Sequence, residues 1–115
     1  MIEQDLEQDW KEVTRFFDQQ FGGDADLDAI IYLIGVNELG KGIQKFKKHE
    51  KMDIMHVAIC TLLSKYGFYE YEGLDADGWP HYKLIEELPS LKPGQQQFLM
   101  KQAIIDYYQV NIKEW

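Results

Sequence analysis

The sequence predicts a mostly helical α+β protein in which four helices accompany one β-hairpin. Apolar residues recur at helical spacing in four separate segments, and two short runs rich in aromatic and β-branched residues flank an Asp-Gly turn signal. The predicted helices cover about residues 5–20, 26–39, 48–66 and 93–110, and the predicted strands cover about residues 68–72 and 81–86. With 115 residues, the chain has the length of a single domain spanning 1–115.

The first helix is predicted from a stripe of Leu6, Trp10, Val13 and Phe17, which follow the spacing of one helical face. Acidic residues and glutamines fill the opposite face, and the acids of the first turn favour the positive end of the helix dipole. The paired glycines that begin at Gly22 supply the backbone freedom that a helix end needs. We therefore expect a surface helix with one buried face.

The second helix has two candidate N-caps, Asp24 and Asp26, and is expected to stop at Gly40. The middle of this helix is apolar on almost every side. Gly35 within it weakens a helix by about 1 kcal/mol relative to alanine. We therefore expect Gly35 to allow another element, the third helix, to approach closely.

The third helix contains the mainly apolar stretch IMHVAICTLL at residues 54–63 and is predicted to be central to the fold. The residues that share one broad stripe, and are therefore expected to form its core face, are Met52, Met55, Ile59, Leu63 and Tyr66. Further apolar residues lie elsewhere on the helical wheel. The helix should therefore be covered from more than one side.

The hairpin is predicted to have a long tip over residues 73–80, with Asp77-Gly78 as its strongest turn signal. Leu88-Pro89 then interrupts regular structure. The last helix begins near Pro93, a residue favoured in a first helical turn. It presents a wide apolar face, formed by Leu99, Met100, Ala103, Ile104, Tyr107 and Tyr108.

This order of elements resembles that of winged helix-turn-helix domains over about residues 26–110. The segment LLSKYGF at residues 62–68, followed by Asp77-Gly78, is similar to the junction between their third helix and the wing. The resemblance implies a recognition helix at 48–66 that would enter the DNA major groove, yet that helix offers few groups that could hydrogen-bond to bases. The stretch Asp77-Gly78-Trp79-Pro80-His81 is also similar to that of short uncharacterised bacterial proteins, and this similarity implies no activity.

Charge and composition narrow the class of protein. The net charge of −8 would repel phosphate over most of the surface, which argues against general nucleic-acid binding. The exception is a basic segment formed by Lys41, Lys45, Lys47, Lys48 and Lys51. The acidic N-terminus has no apolar run of the kind found in secretory signals, so the sequence predicts a cytoplasmic protein.

One stripe of the third helix carries the residue types that bind metals: His49, Asp53, His56 and Cys60. A metal site could use His56 with Cys60 or Asp53, but His49 and His56 lie about 10 Å apart along the axis, so His81 or another distant ligand would be needed. The alternative is that Cys60 belongs to the packing, His56 borders the core and bonds a carboxylate or carbonyl, and His49 and Asp53 are solvated. We expect this alternative, with no metal and no cofactor.

The best interaction candidate is the aromatic tip of the hairpin, the segment from Asp75 to Tyr82, with Asp77, Trp79, Pro80, His81 and Tyr82 as its candidate site residues. Large aromatic residues are enriched at binding hot spots. The alternative is that Trp79 folds back onto the core.

No catalytic residue is identified, since the serines and threonines lack an activating motif. We therefore expect a non-enzymatic module that binds another protein, with a homodimer, a winged-helix-type nucleic-acid-binding regulator and a small metal- or ligand-binding domain as alternatives.

Overall fold

The computed structural model describes residues 2–23, 25–42 and 44–111 and confirms the predicted fold class. The elements in chain order are α1 (Ile2–Phe21), α2 (Leu27–Leu39), α3 (Lys48–Ser64), β1 (Tyr69–Leu74), β2 (Pro80–Leu84) and α4 (Pro93–Val110). The two strands form an antiparallel hairpin. The winged-helix resemblance stays a prediction.

The chain divides into two compact units, Met1–Ile30 with Leu91–Trp115 and Ile31–Ser90. That the whole chain is one domain stays a prediction. In the first unit α1 packs against α4, and the ring of Phe16 meets that of Tyr108 edge to face at a centroid distance of 5.5 Å. Val13 and Phe17 are fully buried, as the stripe on α1 predicts.

Asp26 is the N-cap of α2, because its Oδ1 accepts a hydrogen bond of 2.8 Å from the backbone N–H of Ala29. Asp24, the other candidate, lies outside the described residues.

At the N-terminus of α3, the Glu50 carboxylate accepts a hydrogen bond of 2.8 Å from the backbone N–H of Lys47. This bond satisfies a donor that the helix itself leaves unpaired.

The second unit contains the last part of α2, α3 and the hairpin. One buried cluster of this unit consists of Val36, Leu39, Phe46 and Ile54, with Tyr32 and Trp79 packed against it. Phe46 lies between Lys45 and Lys47 of the basic segment and attaches this part of the chain to the core, a contact that was not predicted from the sequence. Gly35 faces the backbone of Ile54 on α3, so the expected close approach is confirmed.

The expected core stripe of α3 is wrong in part. Leu63 is buried, but Met55 and Ile59 are only half-buried, and Met52 is 67% and Tyr66 37% exposed. The buried residues of α3 are instead Ile54, Val57, Ala58, Cys60, Leu62 and Leu63. Because α3 is apolar over most of its circumference, its periodicity could not identify the buried side. The packing of α2 and the hairpin against α3 determines which residues are buried.

The hairpin tip is shorter than predicted. Strand pairing continues past a bulge between Tyr71 and Gly73 and reaches Leu74 opposite Pro80, so only residues 75–79 connect the strands. At the other end, α3 stops at Ser64 rather than near residue 66, and the chain turns through Gly67 at a φ of 84°. No helix in the described residues is long and apolar enough to cross a membrane.

Candidate functional site

A cleft of about 460 Å³ lies between α3 and the hairpin, entirely within the second unit. Its lining residues are His49, Glu50, Asp53, His56, Val57, Asp75, Trp79, Pro80, His81 and Tyr82. All three histidines of the chain are among them. The structure thus unites two regions that the sequence suggested separately, the polar stripe of α3 and the aromatic hairpin tip.

Asp75 organises the hairpin side of this cleft. Its Oδ1 accepts hydrogen bonds from the backbone N–H groups of Asp77 and Trp79 at 2.9 and 3.0 Å. Its Oδ2 accepts a third bond, of 2.8 Å, from Nε2 of His81. The bonds from His81 and from the Trp79 backbone lower the pKa of Asp75, because they stabilise its charged form.

Tyr82 is held against α3 by a short chain of hydrogen bonds. The Thr61 hydroxyl donates to the carbonyl oxygen of Val57 at 2.8 Å, and the Tyr82 hydroxyl lies 2.7 Å from Thr61 Oγ1. Because the single Thr61 proton is used by Val57, Tyr82 is the donor to Thr61. Burial raises the pKa of Tyr82, so its hydroxyl stays protonated and keeps the hairpin on the helix.

Trp79 has two roles in the geometry of the tip. It packs against the buried cluster of the second unit, and it also lines the cleft. The ammonium group of Lys41 lies 5.7 Å from its ring centroid and donates a hydrogen bond of 2.7 Å to the carbonyl oxygen of Asp77. The first lysine of the basic segment therefore reaches the hairpin tip, and all five lysines of this segment are exposed.

His56 and Cys60 lie together on α3, with Sγ 3.4 Å from Nε2. The His56 ring also meets the Tyr69 ring edge to face at a centroid distance of 6.4 Å. Burial raises the pKa of Cys60 to about 11, which favours the thiol over the thiolate. An activated nucleophilic cysteine requires the opposite shift, so this pair has the properties of a structural contact.

The weak alternative of a metal site at His56, Cys60 and Asp53 gains no geometric support. Within the described residues, no group of three or more His, Cys, Asp or Glu side chains could hold a metal ion. The His56 and Cys60 side chains face each other, and the His81 ring is engaged by Asp75.

Sequence reasoning missed Glu50 and Val57 as members of the cleft, and it included Asp75 in the hairpin tip without predicting its hydrogen bonds. An aspartate two residues before Asp77-Gly78 is a recognisable signal for a side chain that organises a turn, and this signal could have identified that role. Glu50 and Val57 carry no such local signal, because only the folding of the hairpin onto α3 brings them to the cleft. No family model, curated protein or solved structure matches this chain.

Proposed function

We propose that this protein is a non-enzymatic interaction module of the cytoplasm, and that it binds a partner protein through the cleft between α3 and the hairpin. The observation that carries the proposal is the composition of the cleft. It combines the aromatic side chains of Trp79 and Tyr82 with carboxylates and imidazoles from two elements of the second unit.

The aromatic residues of the cleft are suited to recognition because they are held in place before any partner arrives. Trp79 is fixed by the buried cluster, and Tyr82 is fixed by its hydrogen bond with Thr61. A rigid aromatic side chain loses little conformational entropy on binding, and such residues contribute much of the binding energy at interfaces. This arrangement favours binding of a protruding side chain or a short segment.

The polar groups of the cleft support binding more than catalysis. The Asp75 carboxylate and the Tyr82 hydroxyl are engaged in hydrogen bonds that maintain the hairpin. The buried Cys60 has a raised pKa and is unsuited to nucleophilic attack. Asp75 and Tyr82 therefore maintain the cleft, and its shape and charge are available to recognise a partner.

A small-molecule ligand is the second candidate for the same cleft. Its volume of about 460 Å³ falls within the range typical of ligand pockets. Nucleic acid is less suited to this part of the surface, because the cleft contains the carboxylates of Glu50, Asp53 and Asp75. That nucleic acid is not the partner stays a prediction.

The proposal is tested by affinity capture with a variant that blocks the cleft sterically and leaves its carboxylates unchanged. His49 is exposed and lines the cleft, so His49→Trp should block entry while the fold is retained. Met52→Trp is the matched control, because Met52 lies on the same helix, is 67% exposed and does not line the cleft.

Quantitative mass spectrometry should find at least one protein recovered with the wild type and Met52→Trp but lost with His49→Trp. Circular dichroism must show that the three proteins melt alike. If every captured protein is recovered equally with His49→Trp, the cleft is not an interaction site for proteins. Isothermal titration with a metabolite extract fraction would then test the small-molecule candidate.

A further inference from the structure

We infer that the cleft binds an arginine side chain from a basic segment of a partner protein, with Asp53 as the residue that accepts the guanidinium group. This inference rests on the proposed function, because it specifies the chemistry of the partner. It is carried by three features of the cleft: a carboxylate that no described residue pairs with, an indole ring that already contacts a cation, and an apolar floor.

Most polar groups of the cleft are already engaged within the protein. Glu50 accepts a hydrogen bond of 2.8 Å from the backbone of Lys47. Asp75 accepts hydrogen bonds from His81 and from two backbone N–H groups of the tip. Breaking these bonds would disturb the start of α3 and the hairpin tip, so neither carboxylate is free to exchange its partner for a ligand.

Asp53 differs from these two carboxylates. It is exposed and lines the cleft, and no described residue forms a hydrogen bond or an ion pair with its side chain. Its neighbours on the same face of α3 are His49 and His56, and neither ring forms a hydrogen bond or an ion pair with its carboxylate. The cleft thus offers one carboxylate whose acceptor capacity is unused by the described residues, and a cation is the ligand that this charge favours.

Trp79 indicates what kind of cation suits the cleft. The Lys41 ammonium group lies 5.7 Å from its ring centroid, so the indole already attracts a positive charge, and a ligand cation on this face would take the place of Lys41. Val57 and Pro80 add apolar surface to the same cleft. A guanidinium group is planar and weakly hydrated, so it can stack on an aromatic ring and donate two parallel hydrogen bonds to one carboxylate. An ammonium group cannot do both, which favours arginine over lysine.

The charges that line the cleft favour a peptide segment over an isolated amine. The carboxylates of Glu50, Asp53 and Asp75 line the cleft, and no lysine or arginine is among its lining residues. Several positive charges on one segment would each be attracted by these carboxylates, whereas a small amine brings only one such charge. The occupant we propose is therefore an extended segment with more than one arginine.

The probe is a fluorescein-labelled peptide of eight residues, alternating arginine and glycine, titrated by fluorescence anisotropy near neutral pH and about 0.1 M salt. We expect micromolar binding to the wild type and a loss of about tenfold or more in Asp53→Asn, since a bidentate charged contact is removed. Glu87→Gln is the control: it makes the same charge change at an exposed residue outside the cleft and should alter Kd less than about twofold. The equivalent lysine peptide should bind more weakly than the arginine peptide.

The inference is overturned if Asp53→Asn and Glu87→Gln weaken binding equally, because binding would then follow net charge alone. It is also overturned if the arginine peptide fails to bind, or if N-acetylarginine amide binds as tightly as the peptide. None of these results would affect a partner captured by the wild type and lost in His49→Trp. Failure of the arginine inference is therefore distinguishable from failure of the proposed interaction function.

Discussion

Gly35 of α2 lies directly against the backbone of Ile54 in α3. A methyl group at position 35 would lie 2.7 Å from Cγ2 of Ile54 and would also overlap its carbonyl oxygen. Backbone atoms in a helix cannot move aside as a flexible side chain can. Glycine is therefore required here for the approach of the two helices, although it weakens α2 by about 1 kcal/mol relative to alanine.

Gly35→Ala should lower the free energy of unfolding by about 1–3 kcal/mol, because the steric overlap exceeds the gain in helix propensity. Gly94→Ala is the matched control in α4, where no atom lies within 4 Å of the added methyl group. That control should be neutral or stabilise by up to about 1 kcal/mol. Urea unfolding followed by circular dichroism measures both, and equal midpoints for the two variants would refute the close contact.

The role of Gly35 could be predicted from sequence because glycine weakens a helix, so its presence inside an apolar helix indicates that another element packs closely there. The face of α3 could not be predicted in the same way. Met52 and Ile54 both belong to its apolar run, yet Met52 is 67% exposed and Ile54 is fully buried. A helix that is apolar on most sides has no strong periodic signal, so tertiary packing determines which residues are buried.

The candidate cleft was predictable only in pieces. The polar stripe of α3 and the aromatic tip with Trp79 could each be recognised from residue types and spacing. Their union depends on how the hairpin folds back, and Tyr82 contacts Thr61 across 21 positions of sequence. Such a long-range contact leaves no local pattern, which is why the sequence suggested two separate sites where the structure has one.

Ile54→Ala should cost about 2–5 kcal/mol of stability, because the residue is fully buried and the substitution leaves a cavity. Met52→Ala, two residues earlier on the same helix, should change stability by less than about 0.5 kcal/mol. Ile59→Ala should fall between them, since Ile59 is half-buried. Chemical denaturation of the three variants tests this order, and a larger loss in Met52→Ala than in Ile54→Ala would reverse the assignment of the buried face.

Trp79→Ala should destabilise the protein by about 1–3 kcal/mol, because Trp79 packs against the buried cluster and loses this contact. Asp77→Ala, at an exposed position of the same tip, should cost less than about 0.5 kcal/mol. Thermal melts compare the two variants. An unchanged melting temperature in Trp79→Ala would mean that the indole contributes only to the cleft surface, and the variant would then become a direct probe of binding.

The hydrogen bond from His81 is the largest cause of the lowered pKa of Asp75. The carboxyl carbon of Asp75, followed by NMR, should therefore titrate below the usual range of aspartate, and His81→Ala should raise its midpoint. Because the pKa is lower in the folded state, Asp75 stabilises the fold at pH values above about 4 and loses this effect as the pH falls further. A midpoint that does not change in His81→Ala would exclude the bond between His81 and Asp75 as the cause.

Cys60 should react slowly with thiol reagents in the folded protein. Burial raises its pKa from 9.0 to about 11, which lowers the thiolate fraction at pH 8 about a hundredfold and also restricts access. The control is Met52→Cys in a Cys60→Ala background, which places a thiol at a side chain that is 67% exposed on the same helix. Labelling with Ellman's reagent at pH 8 should be rapid in this control, slow in the native protein and complete once urea unfolds it. Above about pH 9 the unfolded chain releases the Cys60 proton that the folded chain retains, so stability should fall as the pH rises further. Equal labelling rates for Cys60 and the introduced cysteine would show that the thiol is neither buried nor held in its protonated form.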